Sequence, residues 1–190
     1  VLAQQASRGE PPNLGDRTAP VVPRPLARKL SEIPALLGGG DDIRHPIGAG
    51  TFEIDALLGY LAGVPTYSLL AERAVAIVLQ GELPAVPSFP RALTESAPAR
   101  WRFNSQFSLD YAAKHAQRGN TIGVARQATK AIMEEAHARL CERGRWVLNE
   151  KHLVELAGLS ALSARFATLP VTAEGLRRWL DELREQLLPR

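Results

Sequence analysis

The stretch TIGVARQATKAIMEEAHARLCER, residues 121–143, constrains the fold most. It runs 23 residues without a proline and ends at Gly144. Ile122, Ala125, Thr129, Ile132, Ala136 and Leu140 recur at helical spacing. Most of them are small, and small side chains let a neighbouring helix approach closely. The pattern predicts one long helix with Arg126, Lys130 and Glu134 on its opposite, wetter side.

Similar patterns predict the neighbours. Phe103, Phe107 and Tyr111 stand i, i+4, i+8 and predict a helix over 99–116 with aromatics on one side. Arg118–Asn120 makes the turn. The segment 51–63 reads as a helix capped by Thr51 and striped by Ile54, Leu57, Leu58 and Leu61. A second helix is expected from Pro65 to Gly81, through Leu69, Ala76 and Leu79. One turn is expected around 91–95.

Further on, NEKHLVELAGL predicts a helix with Asn149 as cap and Leu153, Leu156 and Ala157 inward. Thr172 caps a last helix carrying Leu176, Leu180, Leu183 and Leu187 in register. Strand signals at Val21–Val22 and Val147–Leu148 are too short to count. The fold class is therefore all-α: an irregular antiparallel bundle of about six helices, over 49–190.

Residues 1–48 differ. Proline and glycine are dense there and no period repeats, which predicts a poorly ordered arm. Within it only Leu26, Leu30, Ile33 and Leu37 suggest a short helix over 25–37. No apolar run approaches the ~18 residues of a membrane span. No basic start leads into an apolar stretch, so the expected location is cytoplasmic, with no membrane partner.

Charge is uneven. The net charge is +3. Residues 91–151 hold 11 Lys or Arg against 6 Asp or Glu. A basic centre suits an anionic ligand. Trp101, Arg102 and Phe103 mix aromatic and basic character, as single-strand binders do, in a run too short to define a surface.

The residues able to do chemistry cluster in the centre. Glu134 and His137 share a helix face at i, i+3, as a general-base pair, half of a metal site, or a solvated face. Glu135 is less well placed. Asp110 and Lys114 are spaced as an ion pair, and His115 ends its helix, where its charge suits the dipole. Cys141, the single cysteine, reads as a helix-edge thiol near Arg139 and Arg143. Arg145 and His152 match the Arg–spacer–His spacing of HEPN-family ribonucleases. Trp146 stands where that family has a polar residue, and no ribonuclease activity is read from the pair.

The pieces GYLAGVPTY, HAQRGN and WVLNEKHL lie within a region, 51–159, that resembles the C-terminal helical half of bacterial nucleotidyltransferase-domain proteins. It is similar to the HEPN-like helical domain beside the kanamycin nucleotidyltransferase type of core. The resemblance implies a helical domain that lines an acceptor pocket, with Tyr67, His115, His137 and Asn149 as acceptor contacts and Glu134 as a base. Such enzymes use Mg²⁺ and a nucleotide triphosphate, held by a Gly-Ser turn and an Asp-x-Asp strand. This chain has no Gly-Ser dipeptide, and its only adjacent aspartates are Asp41 and Asp42. The expectation is a domain without its own metal site or cofactor, working with an acceptor or a separate catalytic chain. The alternatives are a basic nucleic-acid-binding module and a homo-oligomerising bundle.

Overall fold

The structure is a computed structural model that describes residues 47–56, 59–74, 77 and 88–188. These fall in one compact unit. The expected arm and its short helix over 25–37, Val21–Val22, and the expected helical continuation through Ala76 and Leu79 lie outside the described residues, apart from Ile47 and Gly48.

Among the described residues the fold is all-α, as the periodicity implies. In chain order come β1 (Ile54–Asp55), β2 (Val64–Pro65), α1 (Ser68–Ala74), α2 (Arg91–Gln117), α3 (Thr121–Glu142), α4 (Leu153–Leu156), a 3-10 helix (Ser160–Thr168) and α5 (Ala173–Leu187). Helices α2 and α3 form the frame, packed along each other and joined by the tight turn at Arg118–Asn120. The Asn120 side chain starts α3 by accepting the Gly123 N–H at 2.9 Å. Thr172 does the same for α5 through Gly175. Leu176, Leu180, Leu183 and Leu187 of α5 are all buried.

The sequence expectation fails over 51–63. Ile54–Asp55 pairs antiparallel with Val64–Pro65, with Ile54 opposite Pro65. Gly59 and Gly63 take φ of 89° and 96°, which a helix does not allow. Phe52 is instead drawn into a core with Tyr67 and Trp101. Helix α2 also begins earlier than expected, at Arg91, and runs through Pro98. Its first turns are anchored by buried Leu93 and Ala97, and by Ser96 Oγ donating to the Gly50 carbonyl. Asn149 does not cap α4: it receives the Lys151 N–H at 3.0 Å, and α4 starts only at Leu153.

Two apolar clusters result. One joins α2, α3, α4, the 3-10 helix and α5 around Leu109, Leu140, Leu153, Trp179 and Leu183. The other holds Ile47, Phe52, Tyr67, Leu93, Trp101 and Cys141. Met133 packs against both. Helix α3 is thus covered on most of its circumference at Glu134, and the wetter side expected through Arg126, Lys130 and Glu134 ends before Glu134. Arg126 is exposed and Lys130 half-buried, but Glu134 is fully buried. Ile122 and Leu156, expected inward, face solvent.

Candidate functional site

One turn of α3 carries three buried polar residues in succession: Glu134, Glu135 and His137. Each points to a different neighbour. Glu134 Oε2 accepts from Ser108 Oγ of α2 at 2.7 Å, and Oε1 accepts from Lys130 one turn earlier. Burial pushes the Glu134 carboxyl above the usual range, while the Lys130 and Ser108 hydrogen bonds pull it back. Glu135 is clamped by Arg139 Nε at 3.0 Å and Arg102 Nε at 3.3 Å. Arg102 reaches Glu142 as well, and this hydrogen bond holds the Glu142 carboxyl below its ordinary value. The glutamates therefore brace α2 against α3, and Glu134 and His137 do not form a hydrogen-bonded pair.

His137 is different. It is 2% exposed, and neither ring nitrogen has a protein partner. Its imidazole stacks on Trp101 with centroids 4.2 Å apart and planes 9° apart. Burial drives its pKa down to about 3, so the ring is neutral, with one donor and one acceptor. Buried polar atoms in folded proteins nearly always find partners, and each exception needs an explanation.

His137 also lines a narrow crevice together with Tyr60, Gly63, Pro65, Ser68, Val147, Leu148, Asn149 and Glu150. Glu150 closes it. Its carboxylate accepts the N–H groups of Leu61 at 2.7 Å and Ala62 at 2.6 Å, clipping the 59–63 turn down over α3. Glu150 also raises the pKa of Tyr60, after burial and Glu72. It contributes to raising Glu134 too. Closed this way, the crevice leaves no room for a water molecule.

Of the residues expected to touch an acceptor, His137 and Asn149 meet at this crevice. Tyr67 lies behind it, fully buried, its hydroxyl accepting from Trp101 Nε1 at 2.9 Å and 3.3 Å from Cys141 Sγ. It packs in the core with Phe52 and Trp101 and does not line the crevice. Burial pushes its phenol well above the ordinary value, and pushes the Cys141 thiol up to about 11. Cys141 is therefore a protonated core thiol rather than a helix-edge one. His115 lies in the last turn of α2, with Asn120 Nδ2 at 3.3 Å from its Nδ1. It is not part of the crevice. Asp110 pairs with Arg184 at 2.7 Å instead of Lys114. Arg145 and His152 are both exposed, His152 pairing with Glu155.

Glu150, Tyr60 and Ser68 were missed by sequence reasoning. Only the nearness of Glu150 to Asn149 pointed to it, since a carboxylate that holds two backbone N–H groups 88 and 89 residues away leaves no local pattern. Among the described residues no three His, Cys, Asp or Glu side chains converge to hold a metal ion, so Mg²⁺ is assigned no residue here. No described helix is long and apolar enough to cross a membrane. Compared with protein-family models, curated proteins and solved structures, the chain matches none.

Proposed function

We propose that this chain is a helical binding domain that takes a small polar molecule over His137, as the acceptor-holding part of a nucleotidyltransferase-like system. The observation that carries the reading is the buried imidazole with two unpartnered nitrogens lining the crevice. The two ring nitrogens point in divergent directions, so a ligand satisfies both with two separate groups, one that accepts from the protonated nitrogen and one that donates to the other. Asn149 and Tyr60 flank it at the crevice.

Opening requires the Glu150 carboxylate to release Leu61 and Ala62. Binding energy is spent on breaking that clip, and the ligand replaces it with contacts to the floor. In this reading the nucleotide triphosphate and Mg²⁺ belong to a separate catalytic chain, which meets the acceptor held here. Glu134 is a bracing residue rather than the base, because Ser108 and Lys130 already occupy its oxygens.

The test has two arms. Incubation of the chain alone with Mg²⁺, labelled nucleotide triphosphates and small alcohols gives no incorporation. Titration of the same alcohols shifts the His137 ring resonances. Robust turnover by the chain alone refutes the assignment of a non-catalytic domain, and unmoved His137 resonances refute the site.

A further inference from the structure

The outer face of α2 carries a second feature, independent of the crevice. Phe103 is 71% exposed, Phe107 61% and Tyr111 44%. At 100° per residue, positions 103, 107, 111, 114 and 118 fall within a sector of about 80°, spanning about 22 Å of helix. Three large rings in one exposed row mark a contact surface. The Phe107 and Tyr111 rings are nearly parallel, 18° apart, with centroids at 6.3 Å.

Charge selects the occupant. Lys114 Nζ sits 5.6 Å over the Tyr111 ring, and Arg118 is exposed at the end of the row. The carboxylate beside the row, Asp110, is already held by Arg184 at 2.7 Å and Gln106 at 3.0 Å. A second copy of this chain fits poorly. Parallel pairing of two α2 faces sets Lys114 toward Lys114, and antiparallel pairing about Phe107 sets it toward Arg100, whose charge Glu53 already holds at 3.1 Å, so neither offers Lys114 a free carboxylate. A partner with flat π faces and evenly spaced negative charge answers every element of the row.

We propose that the outer face of α2 is a stacking platform for single-stranded nucleic acid, with Phe103, Phe107 and Tyr111 taking successive bases and Lys114 and Arg118 taking phosphates. The row has room for about three nucleotides, one per ring, and reads no sequence, since every base has a π face.

Fluorescence anisotropy of the full chain with labelled 15-nucleotide oligo(dT) and oligo(U), at low salt, tests this. Both oligonucleotides bind more tightly than a duplex of the same length. Phe103→Ala and Phe107→Ala each weaken binding about tenfold, whereas Phe107→Trp retains it. The double variant Lys114→Ala/Arg118→Ala flattens the salt dependence by about two phosphate contacts. All these side chains are exposed, so circular dichroism and Tm stay at wild-type values and folding is controlled. Absence of binding at low salt overturns the proposal. So does binding indifferent to the ring substitutions, which is electrostatics alone. Light scattering that shows a dimer dispersed by Phe107→Ala also overturns it and makes the face a protein interface.

Discussion

The His137 imidazole lies flat on the Trp101 indole, 4.2 Å away and 9° from parallel, with both its nitrogens unpaired. The stack fixes the ring plane, so the nitrogens cannot swing to find partners without losing the contact. One side of the ring is apolar and satisfied. The edge is polar and is not.

Replacing His137 by Phe keeps the stack and removes the two unpaired nitrogens. Stability at pH 7 is expected to be unchanged or to rise by about 1 kcal/mol, because an unsatisfied buried group costs about 1–3 kcal/mol. Urea unfolding measures this. A fall well beyond the ~1–3 kcal/mol that a larger ring costs in a packed core would mean that the nitrogens are paired in solution.

The pH dependence of stability follows from the same residue. The folded pKa of about 3 is below the ordinary 6.5, so the unfolded state binds the proton first as pH falls. The contribution of the neutral ring is complete above about pH 6.5 and is lost as pH drops toward 3, at about 1.4 kcal/mol per pH unit. Glu134 acts in the opposite sense. Its raised pKa means that its contribution is lost as pH rises through the folded value. The difference between wild type and His137→Phe at pH 4, 5, 6 and 7 isolates the histidine. Parallel curves would contradict the assignment.

Glu150→Gln leaves one acceptor oxygen for the two N–H groups of Leu61 and Ala62. Hydrogen bonds to a charged group contribute about 1.5–3 kcal/mol. Hydrogen exchange at Leu61 and Ala62 is expected to accelerate by about tenfold or more, while amides in the middle of α3 stay protected. Equal acceleration in both places would show that Glu150 supports the whole fold rather than the turn.

Arg102→Ala removes one of the two guanidinium groups that hold buried Glu135, and frees Glu142 at the surface. Leaving a buried charge short of a partner costs about 3 kcal/mol. Glu142→Ala, which affects only the partly exposed end, is expected to cost about 1 kcal/mol or less. Thermal unfolding of both variants gives the comparison. Equal losses would mean that Glu135 does not depend on Arg102.

Helix α5 was legible almost residue by residue, because its cap and its Leu spacing are both local and agree. Helix α3 was legible in extent but not in its buried faces. Its stripe marked one contact, while Ser108 and Arg102 of α2 and the Trp101 ring cover others, and those contacts have no periodic signature. The segment 51–63 was misread because Ile54 and Leu61 suit a helix locally, whereas pairing with Val64–Pro65 and burial of Phe52 decide it at long range. The aromatic row on α2 was visible as spacing. Its exposure was not, since the same spacing serves a core. For the crevice, His137 and Asn149 were readable as residue types, and Glu150 was hidden by the 88 residues that separate it from its partner at Ala62.

The most direct measurement is ¹H–¹⁵N spectroscopy of the His137 ring, in wild type and Glu150→Ala, with 1,2-propanediol and acetamide as probes. The predicted result is a ring that stays neutral at pH 5 and two nitrogen resonances that move saturably with the probe, at lower concentration in Glu150→Ala. A ring that titrates near pH 6.5, or nitrogen resonances unmoved by either probe in both proteins, would contradict a ligand site over His137.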